Sequence, residues 1–309
     1  MDEALPYRTL APWLEARFRG PVHRVALDAG SSCPNRDGTK GFGGCTYCDV
    51  EGSGTGALKS GLELARQLET GLARVARRGP GVRAIAYFQS YSNTYVSSER
   101  LDEVLAVLEP WLERADAPLA AVSLATRPDT LPDEALRRLE RLAQRVEVWV
   151  ELGLETASDA VQQRIRRFHT LAEFHDAARR VREAGLLCVG HAILGLPGDG
   201  REGARATALE LARSGVEGVK VHQLMVLKKT QLALDWRAGG LELLDEATYI
   251  EWLADFVERL GPEQVLHRLT GDADEDSLLA PLPRFDKSRV RSGLARELER
   301  RGTRQSSAL

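Results

Sequence analysis

The chain has little cysteine and no surplus of charge of either sign. Four cysteines in 309 residues are too few for the disulfide framework of a small secreted domain. Lys and Arg number 42 against 45 Asp and Glu, a net charge of -3. That balance excludes a protein that coats nucleic acid or anionic membrane by bulk charge, so any nucleic-acid contact has to be local. A long apolar run is missing as well. The opening MDEALPYRTLAPWLEARFRG begins acidic and is interrupted by Arg8, Glu15, Arg17 and Arg19, so the expectation is a cytoplasmic protein without signal peptide or membrane span. The sequence carries no internal repeat, long linker or low-complexity tract. What is there is ordinary globular material, 43% hydrophobic and 28% charged, enough to bury a core. The length allows two ordinary domains or one large β/α barrel.

Short apolar runs alternate with amphipathic stretches, the pattern of a parallel β/α protein. Strands are expected at Val22 to Gly30, Val82 to Gln89, Leu119 to Thr126, Val146 to Leu154, Leu186 to Gly198 and Val216 to Leu224. Helices are expected between them at Leu58 to Arg78, Glu99 to Arg114, Asp133 to Arg145, Leu171 to Gly185 and Glu202 to Gly215. Several end at glycine, as helix ends prefer. Six such units form either a doubly wound open sheet or a partial barrel. The polar clusters favour the barrel. Asp28 to Cys48, Gln89 to Tyr95, Thr126 to Asp129, Glu151 to Thr156, Gly195 to Asp199 and Lys220 to Gln223 each follow a strand, and one site fed by six strand ends fits a barrel better than a single crevice. The expected fold is therefore a partial (β/α)6 TIM-type barrel over residues 1–224. After Leu224 the rhythm changes, to a helix around Glu246 to Leu260, a strand-like Val265 to Leu269, a turn-rich stretch and a basic, partly helical end from Arg284 to Arg304. Residues 225–309 are expected to be an accessory extension packed on the core.

Three of the four cysteines, Cys33, Cys45 and Cys48, lie in one 16-residue window directly after the first strand, spaced C-x11-C-x2-C. Gly38, Gly41, Gly43 and Gly44 let this loop bend around a cofactor with backbone N–H groups free for it. Three thiolates are one short of the usual four-ligand zinc or iron–sulfur set. The alternatives are structural zinc with Asp49 or a distant His as fourth ligand, a redox pair Cys45/Cys48, or buried inert thiols. An iron without a protein ligand would leave an open position at which a small molecule can bind. Cys188, inside the fifth strand, is expected to be an apolar filler.

CPNRDGTKGFGGCTYC followed by six β/α units resembles the radical S-adenosylmethionine (SAM) superfamily, in its elongator-type branch with a long first cysteine gap. YFQSYSNTY, ATRPDTLPDE, VELGLETA, HTLAEF, HAILGLPGD, GVKVHQL, HRLTGD and the terminal RGTRQ resemble, in order, the motifs of a YhcC/YtqA-type bacterial group over nearly the whole chain. The resemblance implies that Cys33, Cys45 and Cys48 ligate three irons of a [4Fe-4S] cluster while SAM chelates the fourth. It also implies that an electron from the reduced cluster cleaves SAM to a 5′-deoxyadenosyl radical, which takes a hydrogen atom from substrate. Eleven residues separate the first two cysteines where three are usual in the superfamily. Tyr47 stands where an aromatic packs the adenine in many members, or else packs the loop.

Gln89, Ser90, Ser92, Asn93 and Thr94 replace the Gly-Gly-Glu that commonly holds the SAM amino group, or form an ordinary turn; Gln89, Ser92 and Asn93 are the candidates for the contact. Arg127 offers a bidentate guanidinium to the SAM carboxylate, or a structural salt bridge. Glu151 and Glu155 are candidate ribose-hydroxyl acceptors, one of them alternatively facing Arg164 or Arg166. Gly195 belongs to an adenine-side glycine motif or a plain turn. His222, beside Lys220 and Gln223, is a candidate for cofactor or substrate contact; His191 and His267 are weaker ones. The implied partners are SAM, a reductant such as flavodoxin or ferredoxin, and tRNA, whose wobble-uridine side chain the group is expected to mature, for instance from carboxymethylaminomethyl to aminomethyl. Local basic patches at Arg284 to Arg304, Lys228/Lys229, and Arg164, Arg166 and Arg167 would bind its phosphates, or are solvated surface. Two other readings stay open, a radical SAM enzyme of a small metabolite or peptide and a non-catalytic zinc-stabilised RNA-binding module.

Overall fold

The computed structural model describes residues 5–49, 57–58 and 60–309. Strands β1 (Val22–Leu27), β2 (Arg83–Phe88), β3 (Leu119–Thr126), β4 (Glu147–Glu155), β5 (Leu187–Leu194) and β6 (Gly218–Gln223) pair side by side in chain order, all parallel. The expected six-unit barrel is there, with one addition. After the two-residue β7 (Val226–Leu227), β8 (Val265–Arg268) pairs in parallel with β6, so the half-barrel has seven strands with β1 and β8 as its edges. A last strand, β9 (Leu278–Ala280), pairs antiparallel with β7 in a separate ribbon.

Period-two alternation decides what each strand offers to either side. Outward residues such as Ala84, Ala86, Phe88, Val122, Leu124, Val148, Val150, Leu152 and Val219 are buried beneath the helices in one large core. Cys188 belongs to this core and is fully buried, the filler expected of it. The lower inward face is apolar too. Ile85, Ala121, Trp149 and Val265 pack on Leu10 and Leu14 of the N-terminal helix Leu10–Phe18, which plugs the bottom of the half-barrel.

The covering helices follow the expected segments with shorter C-terminal ends, while those expected from Glu99 and Glu202 start slightly earlier, at Ser98 and Gly200. The one expected from Leu58 begins at Leu64, because the turn in which Gly61 N–H donates to Leu58 and Leu62 N–H to Ala57 precedes it; Lys59 lies outside the described residues. The stretch from Glu99 to Arg114 splits into Ser98–Ala106 and Glu109–Leu112. Pro110, which has no N–H to continue a helix, stands in the first turn of the second piece. Helix Leu171–Glu183 starts in a full capping box, with Thr170 and Glu173 each satisfying the other's backbone N–H.

Candidate active site

Above the apolar plug the inward face turns polar. Glu151 on β4 accepts from Ser123 Oγ on β3 at 2.7 Å and meets His191 Nε2 on β5 at 2.8 Å and Lys220 Nζ on β6. Lys220 also donates to Tyr87 OH on β2 at 3.2 Å, its ammonium 4.3 Å from the centre of that ring. Four neighbouring strands are thereby tied to one carboxylate. Burial raises the Glu151 pKa, but the Lys220 charge and the His191 hydrogen bond outweigh it and hold the group well below the usual carboxylate range. Burial pulls Lys220 down to about 7 against the attraction of Glu151.

Higher still, the strand ends of β2 to β6 open into a cavity of about 230 Å³. Gln89, Arg127, Gly153, Glu155, Ile193 and His222 line it, opposite Cys33, Tyr47 and the segment Gly44, Cys45, Cys48 of the loop after β1. Folding back takes Gly43 and Gly44, whose φ values of 79° and 85° lie in the left-handed region. Gly44 N–H donates to Asn35 O, and Thr46 N–H to Ile165 O at 2.9 Å, which docks the cysteine segment on the segment after β4. Two donors point at the sulfurs: Asn35 Nδ2 is 3.3 Å from Cys45 Sγ and Arg36 Nη2 3.3 Å from Cys48 Sγ. The sequence marks neither residue individually, although both sit in the cysteine loop.

Each candidate residue finds a definite place. Tyr47 lines the cavity and packs with the cluster of Ile165, Ile193 and Leu196. Gln89 and His222 line it as well; the His222 ring stacks on His191 at 5.9 Å and leaves Nε2 without a partner. Glu155 pairs with Arg167 at 3.3 Å, not with Arg164 or Arg166. There is room for that pair only beside a glycine, since a Cβ on Gly153 would stand 2.3 Å from Arg167 Nη2.

Arg127 makes the structural salt bridge, the second of its two expected roles. It grips Asp129 through Nε and Nη2, both groups almost fully buried, and Nη2 also donates to Arg167 O at 2.7 Å. Only Nη1 is left unpartnered. Asp129 is held at about 2: burial raises it, but Arg127 and Lys40 outweigh that effect.

Ser92, Asn93 and Gly195 do not line the cavity. Ser92 Oγ is taken up by Thr130 Oγ1 and Arg127 N–H. Asn93 Nδ2 donates to Phe88 O and Ala125 O, and its Oδ1 accepts from Ser31 Oγ. Their polarity is spent in binding the β2 end to its neighbours. Gly195 sits under Leu224 and Leu244.

The basic patches fare unequally. In the tail Lys287 pairs with Asp272, Arg289 with Glu246, Arg300 with Glu297, and Arg301 with Asp255, so most of its charge is neutralised internally. Arg167 is turned inward. Arg166 and Lys229 instead meet Arg237 around a groove of about 330 Å³ on the outer side of Gly43 to Cys45, which no carboxylate lines among the described residues.

The described residues contain no group of three or more His, Cys, Asp or Glu side chains convergent enough for a single metal ion. The cysteines around the cavity therefore lack the close tetrahedral set of structural zinc, whereas a cluster presents its irons to thiolates at separate corners. Sulfur-directed donors, unpartnered Arg127 Nη1, Arg167 Nε and His222 Nε2, and three thiols on one cavity suit a cluster with a polar ligand.

Comparison with known proteins bears on the same residues. The model of the radical SAM superfamily matches residues 33–211 and that of the Radical_SAM C-terminal domain residues 216–300. The chain belongs to the radical SAM superfamily. It is 35% identical to YtqA of Bacillus subtilis (strain 168) over 97% of this chain and 91% of that one. It is 36% identical to YhcC of Escherichia coli (strain K12) over 87% and 84%, which sets it in the YhcC/YtqA group. A more distant likeness, 26% over 61% of this chain and 40% of the other, is to a tRNA uridine(34) acetyltransferase of Dehalococcoides mccartyi (strain CBDB1). Among solved structures, archaeal Elp3 of Methanocaldococcus infernus shares the fold with a TM-score of 0.73 at 17% identity, over 93% of this chain and 64% of that one. The protein is thus a SAM-dependent enzyme, and its superfamily works with a [4Fe-4S] cluster and SAM. No helix among the described residues is long and apolar enough to cross a membrane.

Proposed function

We propose that this radical SAM enzyme acts on tRNA, at the side chain of a wobble uridine, with Cys33, Cys45 and Cys48 as the protein ligands of its cluster. The observation that carries the cluster assignment is that all three thiols face the cavity fed by the ends of β2 to β6, while Cys188 is sealed in the core. When bound, the cluster and SAM supply the radical that takes a hydrogen atom from substrate.

The chain's own part is to hold and orient. Arg127 Nη1 and Arg167 Nε, buried and unpartnered, are the donors for the SAM carboxylate. Gln89 serves the amino group, and Tyr47 with Ile193 walls the adenine. Glu155 is the ribose acceptor in preference to Glu151, whose two oxygens are occupied by Ser123, His191 and Lys220. His222 Nε2 faces SAM or substrate.

The tRNA substrate is supported by the likeness to the tRNA uridine(34) acetyltransferase and by the groove that Arg166, Lys229 and Arg237 line. A flavodoxin- or ferredoxin-type reductant completes the cycle. Anaerobic reconstitution followed by reduction with SAM tests the chemistry: wild type yields 5′-deoxyadenosine and Cys45→Ala does not. Mass spectrometry of nucleosides from a deletion strain's tRNA tests the substrate. An unchanged profile, with no salt-sensitive tRNA binding by the purified enzyme, would transfer the activity to a small metabolite or peptide.

A further inference from the structure

The half-barrel has a gap between its edge strands β1 and β8, and the gap is lined with cations. Its lower part is closed by the helix Leu10–Phe18; above Leu10 and Leu14 a cleft of about 460 Å³ remains. Arg24 reaches it from β1, Arg268 from β8, and Lys287 and Arg291 from the last helix, with His23 and His267 beside them. The gap leads inward. Ala26, paired with inward-facing Tyr87, is solvent-exposed despite its place on the inner face of β1. Arg268 lines both this cleft and the central cavity.

A bulge aims the β8 side chains. The register with β6 slips between Leu266, opposite Val219, and Arg268, opposite Lys220, so that His267 is the extra residue. Bulges of this kind re-aim side chains next to sites. Here Arg268 lies level with the buried Lys220, while His267 packs against Trp149 with ring centres 5.4 Å apart. From the opposite lip, the Arg24 guanidinium sits 6.0 Å from the centre of the Tyr87 ring, the ring that Lys220 also approaches.

The charges do not balance. Among the described residues the one carboxylate in the cleft lining, Asp272, is paired with Lys287 at 2.6 Å. Glu151, the carboxylate deeper in, is committed to Lys220 and His191. Among the described residues no carboxylate lies in ion-pair distance of Arg24, Arg268 or Arg291. Both Arg24 and Arg268 are half-buried, and their charges reach Lys220 and Tyr87. Holding unpaired guanidinium groups against a buried ammonium is unfavourable unless an anion joins them.

We propose that Arg24 and Arg268, on the two lips of the β1–β8 cleft, clamp an anionic group of the substrate, a phosphate or a carboxylate, beside Tyr87. The clamp rests on reading the central cavity as the SAM site and not on RNA being the substrate. Guanidinium groups are suited to both anions because their planar fork matches two oxygens at once.

The test is phenylglyoxal labelling of the reconstituted enzyme under anaerobic conditions. Each arginine is quantified by peptide mass spectrometry with orthophosphate, acetate or unfractionated tRNA present, and exposed Arg137 serves as internal control. The clamp predicts that labelling of Arg24 and Arg268 together slows about tenfold at a probe concentration about ten times its Kd, while Arg137 is unaffected. Protection by tRNA and orthophosphate identifies a nucleic-acid phosphate. Protection by orthophosphate or acetate without tRNA identifies a small anionic substrate, keeping the clamp and ending the RNA reading. Equal protection of Arg137, or no protection of Arg24 and Arg268 by any of the three, overturns the clamp. Arg24→Gln and Arg268→Gln, each checked for an unchanged melting curve, must each abolish protection at the other arginine.

Discussion

Arg127 and Asp129 grip each other through two hydrogen bonds of 2.9 and 2.7 Å, both side chains nearly sealed from water. Asp129 also takes Lys40 Nζ at 2.6 Å from the cysteine loop. One carboxylate thus fixes the arginine that faces the cavity and ties down the loop that carries Cys33, Cys45 and Cys48.

Replacing Asp129 by Asn should therefore act on both. It leaves a buried guanidinium without a counter-charge, a loss of about 3–5 kcal/mol, and takes from Lys40 its closest carboxylate, leaving it Phe168 O at 3.2 Å and Glu173 at 3.8 Å. The expected outcome is a lower urea midpoint together with poorer iron retention after reconstitution. An iron content equal to wild type in the folded variant would mean that Lys40 does not hold the loop.

Gln89 and Asn93 stand four residues apart and should behave oppositely. Asn93→Ala removes donors from Phe88 O and Ala125 O and should cost about 2–3 kcal/mol, with SAM affinity of the surviving folded protein unchanged. Gln89→Ala should barely alter stability but weaken SAM binding about tenfold, the loss of a hydrogen bond to a charged group. Equilibrium dialysis with SAM beside urea melts separates the two.

The same pair shows how far the residues could be read from the sequence. Strand ends and their polar clusters were legible because alternation and turn residues are local signals, and so β1 to β6 stand where the pattern puts them. Which polar side chain turns into the cavity is settled by register and by competing carbonyls. Asn93 satisfies backbone groups of β2 and β3, whereas Gln89 retains its place at the cavity. The β8 strand was visible as an apolar run, but its pairing with β6 and the bulge at His267 depend on contacts distant in the chain. Asn35 and Arg36 carried no signal beyond their place in the loop.

With Cys45 as a cluster ligand, as proposed, Asn35 makes a testable contribution to the cluster. Its Nδ2 bonds Cys45 Sγ as well as Arg166 O at 2.7 Å and Arg167 O at 3.0 Å. Hydrogen bonds to cluster sulfurs are among the levers that set the potential, because they stabilise the more negative reduced state. Asn35→Ala should keep its iron yet be harder to reduce, seen as a more negative midpoint in an EPR-monitored titration. A midpoint equal to wild type would make Asn35 a purely structural brace.

Asp255 governs how the C-terminal layer meets acid. From the helix Glu246–Val257 it takes Arg201 at 2.5 Å and Arg205 at 2.8 Å on the core helix Gly200–Ser214, and Arg301 at 2.7 Å on the final helix Lys287–Arg301. Burial raises its pKa, but the guanidinium groups outweigh it and hold the carboxyl at about 2. The unfolded chain titrates Asp near 3.9, so between about pH 4 and pH 2 the unfolded state binds more protons than the native one. The contribution is thus complete above the unfolded value and lost as pH falls through the folded one. Its size is about 2–3 kcal/mol. Asp255→Asn should be less stable than wild type at pH 7 by about that amount, with the gap closing on acidification toward pH 2. Since Asp255 joins a core helix to the last one, the loss should appear as one cooperative transition moved to lower urea. A separate early step confined to residues 225–309 would instead make that layer an independent folding unit.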